Sequence, residues 1–343
     1  MSMRSPEGPD ELVVLLSLDP PDGTTKYVVQ LTEGMPDSIA LRYFSWKFAI
    51  LGKYDVFHVH WPEFLIRSGS RMKTAMKVAA FLLLVARIAL LKTPVVRTVH
   101  NLRPHEDGNR LERILTRLLE RRTSLYIRLN ETTETPPGVP AITILHGHYR
   151  DWFASEPKPA PVAGRVLNFG LIRPYKGVEE LIEIIEKAPT SDVTLRIVGR
   201  PMTEDLRTKI EAVSTRCDRV SAVLGFAPDA ELVREICESE IVVLPYRFMH
   251  NSGAVLLALS LDRPVLVPDN EVNRLLEAEV GRDWVHRYVG ELALADIERA
   301  LKLSRQRESH QPVLDGRDWA SVGSQHRAAY WSATRHPVRP GDA

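Results

Sequence analysis

A glycine turn, two cations and a helix start fall together in Asn168-Phe-Gly-Leu-Ile-Arg-Pro-Tyr-Lys-Gly177. The apolar run 165–169 reads as a buried parallel strand. Val178-Glu-Glu-Leu-Ile-Glu-Ile-Ile-Glu186 has helical apolar spacing with acids in its first turn. Gly170 lets a ligand approach the backbone, Gly177 frees the N–H groups of the helix start, and Arg173 and Lys176 can reach a phosphate from either side. The same pattern would also suit a plain turn with two solvated cations. A second turn repeats the logic: the strand 241–246 runs into Arg247-Phe-Met-His-Asn-Ser-Gly253 and then an apolar helix. Asn251 or Ser252 is the natural cap there, and Gly253 bares the first amides. Two such helix starts suit a diphosphate.

Other groups that could do chemistry lie in the first half. Alternation in Val56-Phe-His-Val-His-Trp61 puts His58 and His60 on one side of a strand, with Glu63 just past its end and His100 at the end of a second strand. His105 and Glu106 follow, and His146 and His148 read as a structural turn. No helical histidine spacing or cysteine pair supports a metal site, so none is expected. Each lone histidine is equally suited to a structural role.

These residues need a scaffold, and the chain alternates strands and helices throughout. Strands are expected at 12–18, 39–43, 55–60, 94–99, 124–129 and 141–146, with helices at 26–35, 45–52, 69–91 and 109–122. The second half reads as strands 165–170, 193–199, 220–224, 241–246 and 264–268 between helices 178–188, 203–216, 229–239, 252–262 and 271–279. Helices 293–306 and 318–335 follow. Such alternation predicts parallel sheets covered on both faces, with ligands at the carboxyl ends of the strands. The 343 residues exceed one core's usual span. Three prolines in 154–164 mark a linker, giving an N-terminal domain 1–153, a C-terminal domain 165–317 and a final helix and tail 318–343.

The formal net charge is only +1, yet Lys and Arg outnumber Asp and Glu by 20 to 16 in 1–153 and trail by 25 to 28 in 154–343. Residues 64–105 hold eight cations and no acid, around the apolar run 78–91. Arg71, Lys73 and Lys77 are therefore candidates for contact with an acceptor or an anionic membrane. A buried core helix is the other reading. Near-neutral overall charge disfavours nucleic acid. Two cysteines without redox spacing, and a start with Glu7, Asp10 and Glu11 that is not patterned as a signal peptide, suit a cytoplasmic compartment, with contact at the inner face of the plasma membrane.

The stretches Phe169-Gly-Leu-Ile-Arg-Pro-Tyr-Lys-Gly177, Ile197-Val-Gly-Arg-Pro201, Leu224-Gly-Phe226 and Asn251-Ser-Gly through Arg263-Pro-Val-Leu-Val-Pro268 resemble the nucleotide-sugar domain of GT-B glycosyltransferases related to glycosyltransferase family 4. Val59-His-Trp-Pro-Glu63, Thr98-Val-His-Asn-Leu-Arg-Pro-His105 and Leu145-His-Gly-His-Tyr149 resemble a subset that includes xanthan-type mannosyltransferases. The resemblance implies two Rossmann-like domains with an interdomain cleft and a final helix that crosses back to the first domain. It also implies transfer of a sugar from a nucleoside diphosphate sugar, GDP-mannose or a UDP-sugar, to a hydroxyl of a lipid-linked or polysaccharide acceptor.

In that reading Gly170, Arg173, Lys176, Ser252 and Gly253 hold the donor phosphates and no cofactor is needed. If the reaction inverts, Glu63, His100 or Glu106 takes the acceptor proton; if it retains, no base is compulsory. Two positions depart from the pattern. Leu171 stands where the family has arginine, and Leu257 where it has the glutamate that holds the ribose. The loss keeps open a non-catalytic scaffold that binds glycans, and a sugar-nucleotide epimerase, which shares the GT-B fold and the phosphate cleft, is a further alternative.

Overall fold

The computed structural model of the protein describes residues 11–21, 25–100, 109–188 and 191–335. The chain divides into two compact units, one comprising Met1–Gly147 and Gly316–Ala343, the other His148–Asp315. The division falls at Gly147 rather than in the proline-rich stretch 154–164. Tyr149 and Phe153, placed in the N-terminal domain on sequence grounds, are buried in the core of the second unit. Val162 N donates to Glu238 O at 2.8 Å, so the proline-rich stretch lies along that unit.

In the first unit the order is β1 (Leu12–Leu16), α1 (Lys26–Glu33), β2 (Ile39–Arg42), α2 (Trp46–Leu51), β3 (Val56–Val59), α3 (Arg71–Leu91), β4 (Val95–Val99), α4 (Arg110–Glu120), β5 (Thr123–Arg128) and β6 (Ala141–Thr143). The strands form one parallel sheet in the order β2-β1-β3-β4-β5-β6. Apolar side chains on one sheet face, among them Val14, Leu16 and Val56, pack with α1 and with residues 319–333; those on the other, including Leu15 and Phe57, pack with α3 and α4. Burial on both faces explains why these strands read as continuous Val, Ile and Leu runs. Local caps set the helix starts: Ser45 accepts from Phe48 N, and Asn109 from Glu112 N.

The second unit repeats the plan: β7 (Arg165–Phe169), α5 (Val178–Glu186), β8 (Thr194–Gly199), α6 (Glu204–Arg216), β9 (Val220–Leu224), α7 (Asp229–Cys237), β10 (Ile241–Val243), α8 (Gly253–Ser260), β11 (Val265–Pro268), α9 (Glu271–Val280), β12 (Val285–Tyr288) and α10 (Leu294–Arg305). Its parallel sheet runs β12-β11-β10-β7-β8-β9. The edge strand β12 was not expected from the sequence, and the strand read as 241–246 is regular only to Val243. Helix α11 (Trp319–Arg335) follows and belongs to the first unit, where Trp319, Val322 and Tyr330 fill one face of the sheet.

Candidate active site

The candidate anion site begins at the carboxyl end of β7. Gly170 adopts φ +103°, and its N–H donates to Val198 O at 2.9 Å. Gly199 must be glycine, because a Cβ there would lie 1.9 Å from the Gly170 carbonyl oxygen. Ile172 N then donates to Arg200 O and Met202 N to Ile172 O, pinning the turn beside the end of β8. Gly177 is left-handed at φ +67°, and a Cβ there would sit 2.3 Å from Pro245 O. Its missing side chain lets α5 start against the residues that follow β10.

Arg173 and Lys176 occupy this turn without acidic partners among the described residues. The Arg173 Nε is buried and has no hydrogen-bond partner there. The Lys176 ammonium lies 4.8 Å from the centroid of the Tyr246 ring. Burial first, and the neighbouring Arg173 charge second, pull its pKa from 10.5 to about 8. Two like charges brought together and partly desolvated are unfavourable until an anion neutralises them. The nearest acids in sequence, Glu179 and Glu180, are already paired with Lys209 and Arg247.

The second turn is tied to the first, since β7 and β10 are neighbours and Arg247 N donates to Tyr175 O at 2.9 Å. Ser252 caps α8, its Oγ accepting from Val255 N at 3.4 Å. A Cβ on Gly253 would approach the Tyr149 hydroxyl at 3.4 Å. Met249 is anchored from α9, where Asn270 Nδ2 donates to its carbonyl at 3.0 Å. Gly170, Arg173, Lys176, Ser252 and Gly253 therefore all belong to two linked turns at the carboxyl ends of adjacent strands. Leu257, in the position of the family's ribose glutamate, is buried core at 8% exposure. Tyr246 and the Arg247–Glu180 pair were missed on sequence grounds; the cation-aromatic spacing carries no local signal.

In the first unit the histidines form one buried cluster. His58 on β3 and His60 just past its end lie side by side, ring centroids 4.2 Å apart, and both are buried. His58 is locked, with Nδ1 at 2.8 Å from the Tyr330 hydroxyl and Nε2 at 2.8 Å from Thr98 Oγ1. His60 Nδ1 lies 3.0 Å from His100 Nε2, and His60 Nε2 is buried without a partner among the described residues. The indole of Trp61 stacks on His100 at 4.2 Å between centroids. Tyr27 meets His100, His146 and Trp319 through its ring. Burial holds His58, His60 and His100 well below the ordinary imidazole range, and neighbouring histidines push the same way. All are neutral at pH 7, so one ring of the His60–His100 pair donates to the other.

His100 is half-buried at the end of β4, and Glu63 sits half-buried in a 3-10 turn, Pro62–Leu65. Glu106 lies outside the described residues. Of the three cations proposed for acceptor or membrane contact, Arg71 and Lys73 are exposed, but Lys77 is turned inward. Its Nζ donates to Phe64 O at 3.2 Å and Arg67 O at 2.7 Å, carbonyls left open where the chain enters α3. Lys77 is therefore a brace rather than a contact.

The model of the family described as glycosyl transferases group 1 matches residues 163–296, which contain both turns. Over 324 residues the chain is 45% identical to a GDP-mannose:glycolipid 4-beta-D-mannosyltransferase of Xanthomonas campestris pv. campestris, covering 94% of this chain and 93% of that one. Among solved structures, HepE of Anabaena in complex with UDP and glucose superposes with a TM-score of 0.58 at 17% identity, covering 95% of each chain. AviGT4, a glycosyltransferase of avilamycin A biosynthesis, gives 0.56 at 11% identity, covering 94% of this chain and 98% of that one. These structural likenesses establish the fold. Near-full-length identity to a transferase displaces the epimerase and scaffold readings. With that kinship and two Rossmann-like units, this chain belongs to the GT-B glycosyltransferases of group 1.

Proposed function

We propose that the protein transfers mannose from GDP-mannose to a hydroxyl of a glycolipid. The observation that carries this reading is the pair of cations without acidic partners among the described residues, Arg173 and Lys176, in a chain 45% identical to a mannosyltransferase of that specificity. As the glycosidic bond breaks, negative charge accumulates on the departing diphosphate. Arg173, Lys176 and the amides after Ser252 are preorganised to stabilise it, and they supply the counter-charge without calling on a metal. The donor's sugar is α-linked, so a β product requires inversion and a base for the acceptor proton. His100, neutral and at a strand end, and Glu63 are the described candidates, with Glu106 following in the chain.

A glycolipid acceptor brings the enzyme to a membrane surface, where exposed Arg71 and Lys73 would meet anionic headgroups. The free cysteines Cys217 and Cys237 agree with the cytoplasmic face. The test is incubation of the purified protein with GDP-mannose, UDP-glucose and ADP-glucose separately, with a lipid-linked oligosaccharide extract as acceptor. Mannose should appear on lipid and GDP be released only when the acceptor is present. Transfer from a UDP- or ADP-sugar alone would overturn the donor assignment.

A further inference from the structure

Among the described residues, one side of α3 is neither packed nor charged. The opposite side buries Phe81, Leu84 and Ile88, each at most 2% exposed. Its internal cations turn the same way. Arg87 donates to Gly52 O at 2.6 Å and lies over the Tyr54 ring, and Lys77 braces the Phe64 and Arg67 carbonyls. What remains outward is Met72 at 72% exposure, Met76 at 66%, Leu82 at 46%, Leu83 at 58%, Leu90 at 81% and Leu91 at 59%, with alanines between them. All but Leu91 fall within about 120° of helix surface, a stripe about 27 Å long at 1.5 Å per residue, and Leu91 lies to one side of it on the line of Lys73. Phe64, 61% exposed, precedes the helix. An ordinary surface helix carries charge on this side.

We propose that this stripe docks in the headgroup–acyl boundary of a lipid bilayer, with the helix axis in the membrane plane. Charge selects lipid as the occupant: residues 64–100 contain no Asp or Glu, and the exposed cations Arg71, Lys73 and Lys92 sit at the two ends of the stripe. An apolar band with terminal cations complements acyl chains between anionic headgroups. The helix is long and apolar enough to cross a membrane. Crossing would nevertheless strip Phe81, Leu84 and Ile88 from the core and break the bonds of Lys77 and Arg87, so the helix lies flat. Resting on the proposed glycolipid acceptor for its purpose, this docking would keep the enzyme where a lipid-anchored hydroxyl is presented.

The test uses the full chain and sedimentation with phosphatidylcholine vesicles, with and without phosphatidylglycerol. Met76→Glu/Leu83→Glu/Leu90→Glu should lower partitioning at least tenfold on both vesicle types. The loss should persist at about 1 M NaCl, where charges are screened beyond about 3 Å. Arg71→Glu/Lys73→Glu should weaken binding only to the anionic vesicles and only at low salt. An unchanged melting shift with GDP checks that the variants are folded. Wild-type protein that binds neither vesicle type, or a triple variant that binds as well as wild type, overturns the docking. A stripe-dependent dimer with no vesicle binding overturns it in favour of a second copy. Vesicle binding without mannose transfer leaves the docking standing and removes the substrate assignment; transfer to a detergent-dispersed acceptor without vesicle binding does the reverse.

Discussion

Mild acid should destabilise the first unit through its buried histidines. His58, His60, His100, His146 and His326 all belong to that unit, and burial keeps each one neutral, with His146 and His326 pulled from 6.5 to about 4. Arg317 beside His146 reinforces the depression, while the Gly147 and Val322 carbonyls, which accept from His146 and His326, oppose it. Between pH 6.5 and 4 the unfolded chain therefore binds protons that the folded unit refuses. Stability rises with pH in that window, is fully present above about 6.5 and is lost as pH falls. One such site changes stability by about 1.4 kcal/mol per pH unit, so His146 and His326 together contribute about 3 kcal/mol per unit. The other three act in the same direction. In the second unit His286, pulled by burial from 6.5 to about 4, adds one site in the same window, while Asp269, held near 2 by its hydrogen bond to Arg274 and then Arg287, begins to matter only below its ordinary 3.8. Urea unfolding followed by tryptophan fluorescence at a series of pH values measures the slope. His326→Gln should flatten it by about one site's worth, about 1.4 kcal/mol per unit. A wild-type midpoint that does not move between neutral pH and about 5, or a full slope retained in His326→Gln, would refute the linkage.

Arg173→Ala and Lys176→Ala should each weaken GDP binding in calorimetry by about tenfold or more, since each removes a charge-assisted contact of about 1.5–3 kcal/mol. In the wild type the same affinity should decline above pH about 8, as Lys176 loses its proton; pH-independent binding up to about 9.5 would count against it. At least one of Glu63→Gln, His100→Ala and Glu106→Gln should lower mannose transfer about a hundredfold with GDP affinity nearly unchanged. Full activity in all three removes them as bases. Gly199→Ala should cost about 1–3 kcal/mol in thermal or urea unfolding and also weaken GDP binding, because its methyl group collides with the Gly170 carbonyl; a stable variant with normal affinity would contradict the close approach.

What could be read from the residues alone was whatever depends on neighbours in sequence. The β7 turn was legible because a buried strand, two glycines and an amphipathic helix stand side by side. The edge strand β12 was not, since Val285-His-Arg-Tyr288 pairs on one flank only and its charges dilute the apolar run. The domain boundary was misplaced because prolines signal a linker, whereas Tyr149 and Phe153 are recruited by burial in a core built from far later residues. His58 and His60 could be assigned to one face by alternation. Their surroundings could not, because Tyr330, which holds His58, lies 272 residues away. Lys77 was indistinguishable from Arg71 and Lys73 until the carbonyls it braces were seen.

Because α11 belongs to the first unit but follows the second in the chain, the order of synthesis and the order of folding diverge. The ribosome releases β1 through β6 first, yet one face of their sheet still awaits Val322, Ala329 and Tyr330. The second unit has its whole core in hand by Asp315 and can fold while the first is still partly uncovered. A nascent chain arrested near that point would display the Leu12, Val14 and Leu16 face and the unpaired side of His58, a surface suited to chaperone capture. Separating the two units into independent polypeptides at Gly147 would therefore fail for the first one unless α11 were supplied alongside it.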